Sequence, residues 1–225
     1  MGWQDWVRGV EVEPSLYAAD FARLGEEVDL MLDAGARIFQ FDMGDGHFVE
    51  PVTIGPIVLE AIAPRVHDRG AVLDCHLMVD NPERHIPQVA KAGGDSVTFH
   101  VEVTDDPARV IALAREHGLG AGIAFNPGTA VADAARAAGD ADLALCMSIW
   151  PGYSGQDFMP DALPRIRELR SLLPGHVHVQ VDGGVGEENI REIRAAGANL
   201  FVAGSAIFAG DDPAAAYRRL AEAAR

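Results

Sequence analysis

Short β-branched or apolar runs alternate with alanine- and leucine-rich stretches of helical period along the whole chain, and few folds accept that rhythm. The strand-like runs are VEVEPSLY from Val10, RIFQFD from Arg37, AVLDCHLM from Ala71 and DSVTFHV from Asp95. LGAGIAF from Leu119, LALCMSI from Leu143, VHVQVD from Val177 and ANLFVAG from Ala198 complete the set. Between them lie helical segments such as ADFARLGEEVDLMLDAGA, with Asp20 as N-cap and Gly35 as stop, ERHIPQVAKAGG and PARVIALAREHG. Three segments end alike, in DAGAR, KAGGD and AAGAN, so that helix, glycine and next strand recur as a phrase. Eight such units within 225 residues predict an α/β chain folded as one (β/α)₈ TIM barrel, with residues 1–225 a single catalytic domain. The open doubly wound alternative loses its main attraction because Val12-Glu13-Pro14-Ser15-Leu16 contains no glycine-rich dinucleotide fingerprint.

In a barrel, strand residues of one parity face inward and the C-terminal strand ends carry the site. Polar residues fall where that rule puts them: Ser15 on the first strand, Gln40 and Asp42 on the second, Asp74 and His76 on the third. His100 ends the fourth, and Gln180 and Asp182 end the seventh just before Gly183-Gly184. Singly, each has a structural reading. Asp42 could cap the turn-rich FDMGDGHF, His76 could be a satisfied core histidine, Asp182 could orient the glycine turn and His100 could simply support the core. Together, two carboxylates and a histidine converging on one mouth are costly unless they share a metal, a proton or a substrate. The remaining histidines, His47, His67, His85, His117, His176 and His178, read as surface, loop or supporting groups.

Loops of small residues follow the last three strands: Trp150-Pro151-Gly152-Tyr153-Ser154-Gly155, Gly183-Gly184-Val185 and Ala203-Gly204-Ser205. Such loops let backbone N–H groups approach an anion, and barrels commonly bind phosphate after strands seven and eight. With few lysines or arginines nearby, that cradle would rely on main-chain donors.

PSLYAADFARLGEEV, FDMGDGHFVEPVTIGP, LDCHLMVDNPERHI, TFHVE, GIAFNPGT, MSIWPGYSGQDF, VDGGV with Asn189, and VAGSAIF together resemble the ribulose-phosphate 3-epimerases over nearly the whole chain. The related 3-keto-6-phosphogulonate decarboxylases would carry a lysine after the second-strand aspartate, which FDMGDGHF lacks. The resemblance implies a divalent cation, zinc foremost and Mn²⁺, Fe²⁺ or Co²⁺ as substitutes, held by Asp42, His76 and Asp182, with Asp42 and Asp182 also the acid and base. It implies Ser15, Met78 and Met147 in the pocket, and phosphate donors at Gly152, Tyr153, Ser154, Gly155, Gly183, Gly184, Gly204 and Ser205.

Four departures stand out. The family's second-strand histidine falls on Gln40, so the fourth ligand is either a weak amide oxygen or, in a metal-free alternative, an amide donating to an enediolate oxygen. A pocket methionine falls on Gly44. The family's Asn-Pro-Gly-Phe-Gly-Gly reads Trp150 to Gly155, and its Pro-Asn reads Glu50-Pro51. The expected reaction is epimerisation of a ketose phosphate at C3, ribulose 5-phosphate and xylulose 5-phosphate being the first pair. A tetrulose or hexulose phosphate epimerase or isomerase, or an inactive sugar-phosphate-binding barrel, are the alternatives.

The formal net charge of −16, from 34 acidic and 18 basic residues, argues against a nucleic-acid surface. MGWQDWVRG has no apolar signal core, and no 18-residue apolar run offers a membrane span, so the expected location is the cytoplasm. Cys75 and Cys146 sit in apolar runs and read as reduced core thiols. The resemblance implies assembly of like barrels into a homo-oligomer.

Overall fold

A computed structural model describes residues 2–225, and all eight expected strands are present. They are β1 (Glu11–Pro14), β2 (Ile38–Gly44), β3 (Val72–Met78), β4 (Ser96–His100), β5 (Gly120–Phe125), β6 (Leu143–Met147), β7 (His178–Asp182) and β8 (Leu200–Ala203). The helices are α1 (Trp3–Trp6), α2 (Leu24–Ala34), α3 (Pro56–His67), α4 (Pro82–Ala92), α5 (Pro107–Glu116), α6 (Val131–Ala137), α7 (Ala162–Leu172), α8 (Ile190–Ala195), α9 (Ser205–Phe208) and α10 (Pro213–Ala223). Asp20 caps as expected, accepting from the Ala22 N–H, but what it caps is a 3₁₀ turn over Phe21–Arg23 that leads into α2. Gly35 ends α2.

Every strand pairs in parallel with its neighbours in the order β1-β8-β7-β6-β5-β4-β3-β2. A single parallel bridge between Ser15 and Gln40 brings the two ends of the sheet together and closes the ring. Parallel strands are covered on both faces, so almost every strand residue here is buried. The period of two then sorts the side chains into two cores. Phe39, Phe41, Leu73, Cys75, Leu77, Val97, Phe99, Val179, Val181 and Phe201 pack outward in the large cluster beneath the helices. Ile38, Leu143, Leu145, Met147 and Leu200 belong to a smaller apolar cluster in the barrel interior, joined by Trp3.

Trp3 is 1 % exposed and plugs the end of the barrel opposite the strand C-termini; its Nε1 donates to Ser96 Oγ at 3.0 Å. The rest of the interior is polar. Gln180 Nε2 donates to Glu13 Oε2 at 2.7 Å and to Asp74 Oδ2 at 3.1 Å, and Thr98 Oγ1 donates to Asp74 Oδ1 at 3.3 Å. Burial, followed by the charge of Asp74, pushes the Glu13 carboxyl well above its ordinary range. Burial likewise lifts Asp74 to about 6 against the opposing hydrogen bond from Gln180. Cys75 and Cys146 are buried free thiols, as expected, and burial pushes Cys146 up to about 12. No helix among the described residues is long and apolar enough to cross a membrane.

Candidate active site

At the C-terminal mouth, the ends of β2, β3 and β7 bring Asp42, His76 and Asp182 together. One ligand atom from each lies within 4.8 Å of the other two, and no other group of three acidic, histidine or cysteine residues does this among the described residues. His76 Nδ1 is 3.1 Å from Asp42 Oδ1 and 3.8 Å from Asp182 Oδ2. Gln40, one inward position before Asp42, donates its Nε2 to Asp42 Oδ1 at 3.0 Å and to Asp182 Oδ2 at 2.9 Å. Its carbonyl Oε1 is buried and has no hydrogen-bond partner. Ser15 Oγ donates to Asp42 Oδ2 at 2.7 Å.

The two carboxylates are thus unequally supported. Asp42 is contacted by Ser15, Gln40 and His76, whereas among the described residues the one side-chain hydrogen bond received by Asp182 comes from Gln40. Burial, and then the charge of Asp42, push Asp182 up to about 7. For His76, burial acts downward, but the hydrogen bond and charge of Asp42, then the charges of Asp182 and Asp74, raise it overall. Nitrogen and carboxylate donors at this spacing suit a divalent transition ion, whereas Gln40 turns its NH₂ rather than its carbonyl toward the two carboxylates.

A cleft opens above this centre. It is lined by Ser15, Asp42, Met78, Met147, Gly152, Tyr153, Ser154, Gly155, Asp182, Gly183, Gly184, Gly204 and Ser205, each singled out from sequence. Gln40 and His76 do not line it; both are wholly buried beneath its floor. Pro151 and Val185, from the small-residue loops, line it as well; so do Tyr17, Ile149 and Val202, which the sequence did not single out. The Tyr153 hydroxyl is turned aside, donating to Glu50 Oε2 at 3.1 Å.

The small-residue loops are rigidly built. The Ser148 hydroxyl shares its one hydrogen between the carbonyls of Asp182 and Gly183, with Oγ 2.8 and 2.7 Å from them, and Asn189 Nδ2 donates to the Gly184 carbonyl at 2.8 Å. Gly184 has φ +62°, and a Cβ there would lie 2.3 Å from the Phe158 backbone nitrogen, so only glycine fits. Arg165, reaching from α7, donates to the carbonyls of Met147 and Asn126 at 2.9 and 2.8 Å and locks the ends of β5 and β6 together.

The Gly44 and Glu50-Pro51 departures turn out to be one feature. A Cβ on Gly44 would sit 2.8 Å from Val49 Cγ2, 3.0 Å from the Pro51 carbonyl oxygen and 3.1 Å from Thr53 Cγ2. The loop after β2 folds down into the space a side chain at 44 would need. Thr53 Oγ1 pins it there, accepting from the Gly44 N–H at 2.6 Å and donating to the Asp42 carbonyl at 2.8 Å.

Fold and site together define the class: a (β/α)₈ barrel of the sugar-phosphate-binding type with an Asp–His–Asp centre fit for a divalent ion. The profile of the ribulose-phosphate 3 epimerase family matches residues 11–208. The chain is 42 % identical over 215 residues to ribulose-phosphate 3-epimerase of Candida glabrata, covering 90 % of this chain and 87 % of that one. It is 43 % identical over 200 residues to ribulose-phosphate 3-epimerase of Escherichia coli K12, covering 88 % of each. Among solved structures, 3-hexulose-6-phosphate synthase from Salmonella typhimurium superposes with a TM-score of 0.72 at 17 % identity, over 95 % of this chain and 98 % of that one. Orotidine 5'-phosphate decarboxylase from Pyrococcus horikoshii gives 0.69 at 16 % identity, over 95 % and 99 %. Those two likenesses speak to the fold alone. The chain belongs to the ribulose-phosphate 3-epimerase family.

Proposed function

We propose that the chain epimerises a ketose phosphate at C3, with ribulose 5-phosphate and xylulose 5-phosphate as the first pair. The observation that carries this reading is the meeting of Asp42 and Asp182, from strands far apart in the ring, at the floor of a cleft walled by small-residue loops. Epimerisation needs a proton taken from one face of C3 and returned on the other, and two carboxylates in one site can divide that work. With Ser15 Oγ and Gln40 Nε2 both donating to it, Asp42 is set to take the proton; Asp182, lifted to about 7, holds one near neutrality. The roles exchange in the reverse direction.

Ser15 and Gln40 hold the carboxylates apart and oriented, and Met78 and Met147 form an apolar lining that keeps water from the carbanion-like intermediate. Main-chain N–H groups of the loops at Gly155, Gly183 and Gly204 would bind the phosphate and so fix where C3 lies. Asp42, His76 and Asp182 would hold a divalent ion, zinc foremost; Gln40, which donates its NH₂ to both carboxylates, would become a weak fourth partner only with its amide turned over. When bound, that ion supplies positive charge for the enediolate oxygen and relieves the repulsion between the carboxylates.

One observation favours a second reading of substrate. The loop seated over Gly44 reshapes the cleft mouth, and a Cβ on Gly152 would already touch Pro51 Cδ and Val49 Cβ at 3.5 Å, so a tetrulose or hexulose phosphate is the rival. The test is a panel of four-, five- and six-carbon ketose phosphates, each with its unphosphorylated form, in deuterated solvent with and without EDTA. Exchange at C3 followed by NMR should be fastest for one phosphorylated pair and abolished by the chelator. Equal rates on free and phosphorylated sugars would overturn the role of the loops, and full activity in protein shown metal-free by elemental analysis would overturn the ion.

A further inference from the structure

Resting on the reading of Asp42, His76 and Asp182 as an ion centre, we propose that Glu102 is a positioning residue that selects, through His100, which nitrogen of His76 faces the two carboxylates bare. The residues form a line leading away from the site. His76 Nε2 lies 2.9 Å from His100 Nε2, and His100 Nδ1 lies 3.2 Å from Glu102 Oε2. Both rings are wholly buried. Their centroids are 5.1 Å apart and their planes within 24°, the near-coplanar edge-to-edge arrangement of an N–H···N bond. Phe48 packs on His100 at 4.6 Å and keeps that ring from turning.

The direction of every bond follows from the far end. Glu102 Oε1 is occupied, accepting from the Asn126 N–H at 2.7 Å and from the Thr129 hydroxyl, so Oε2 is the oxygen that meets His100. Burial acts to raise Glu102, but hydrogen bonds from His100, Asn126 and Thr129 prevail and hold it at about 2. A carboxylate only accepts, so His100 Nδ1 carries the hydrogen. One hydrogen lies between the two Nε2 atoms at 2.9 Å; a His100 that carries its own on Nδ1 offers Nε2 as the bare acceptor, and His76 Nε2 is the donor. What remains for a neutral His76 is a bare Nδ1 aimed at Asp42 and Asp182, 3.1 and 3.8 Å away. A lone pair facing carboxylate oxygens is tolerable only with a proton or a cation between them. Glu102, two contacts away from the centre, thus leaves His76 Nδ1 ready to act as a ligand, with no rearrangement of the ring hydrogens when an ion arrives.

Glu102→Gln turns this logic around. The Asn126 N–H and the Thr129 hydroxyl both donate and would claim the amide oxygen, leaving the NH₂ to face His100 Nδ1. His100 then carries its hydrogen on Nε2, His76 Nε2 becomes the acceptor, and the His76 hydrogen moves to Nδ1, the ligand position. Histidine ¹⁵N shifts in the EDTA-treated wild type should show His100 protonated at Nδ1 and bare at Nε2. In Glu102→Gln that pattern should reverse, with a loss of about 10- to 100-fold in Zn²⁺ affinity by chelator competition. Thr129→Val, which loosens the same loop but keeps the carboxylate, should leave the tautomers unchanged. A wild type bearing the His100 hydrogen on Nε2 overturns the proposal, as does Glu102→Gln with wild-type tautomers or with wild-type zinc affinity. If the tautomers behave as stated but the wild type binds no Zn²⁺, the ion reading falls and the control of His76 by Glu102 stands.

Discussion

Glu13→Gln should leave stability nearly unchanged in acid and raise it progressively as the pH climbs. Glu13 is fully buried on β1; one carboxyl oxygen accepts from Gln180 at 2.7 Å, and the other has no partner. Its folded pKa is raised well above the ordinary carboxyl range, first by burial and then by Asp74, so above the unfolded pKa there is a pH range in which the folded chain holds a proton that the unfolded chain has released. For a raised carboxyl the sign is fixed. Its contribution is fully present below the unfolded pKa of about 4.3 and is lost as the pH rises through the folded value. While the folded group stays protonated, each pH unit above that point removes about 1.4 kcal/mol. A chain of this size responds by about 2–4 °C per kcal/mol, so the gap in Tm between variant and wild type should widen by about 3–6 °C per pH unit. Glutamine has the same shape and keeps a carbonyl for Gln180, while removing the proton linkage. The assay is thermal and urea unfolding of both proteins from pH 5 to pH 8, in EDTA so that the ion centre is the same in each. Parallel curves would show that Glu13 is ionised in the fold and refute the reasoning.

Four further substitutions test the site. Asp42→Asn and Asp182→Asn should each lower interconversion by at least about 10²-fold while allowing C3 exchange of at most one epimer; retention of more than a tenth of wild-type kcat would remove that residue from the chemistry. Gly184→Ala forces a shift of the loop against the Phe158 backbone, and should cost roughly 10²-fold in kcat/KM with matching weakening of inhibition by inorganic phosphate. A loss under threefold would show that this loop does not position the phosphate. Gln40→His offers zinc an imidazole in place of an amide, so zinc content after dialysis against chelator should rise; unchanged retention would show that position 40 does not face the ion.

The barrel was legible because its strands are short, apolar and evenly spaced, and because parity alone sends Gln40, Asp42, Asp74, His76, Gln180 and Asp182 inward. Glu13 obeys the same parity and was passed over. Glu11-Val12-Glu13 alternates like a strand wetted on one side, and only ring closure buries it, beside a glutamine 167 positions away. Trp3 escaped notice for a different reason: a four-residue helix is too short to show a period. His100 and Glu102 carried a signal, their spacing in TFHVE, but His76 reaches His100 across the sheet and no local rule predicts that contact. The direction of the Gln40 amide, nitrogen toward the carboxylates, likewise follows from its hydrogen bonds to Asp42 and to Asp182 across the ring rather than from residue type.

The polar interior lacks one thing that buried acids ordinarily have. Glu13, Asp42, Asp74 and Asp182 share the barrel axis, yet no lysine or arginine is buried among the described residues, and the glutamine amides that touch these acids are neutral. With no fixed positive side chain except a protonated His76, electroneutrality depends on small, exchangeable cations. The inside of this barrel therefore works as an ion-exchange resin does, its matrix anionic and its counter-ions mobile. A divalent ion entering at the mouth should expel protons, and the medium should acidify as the site fills.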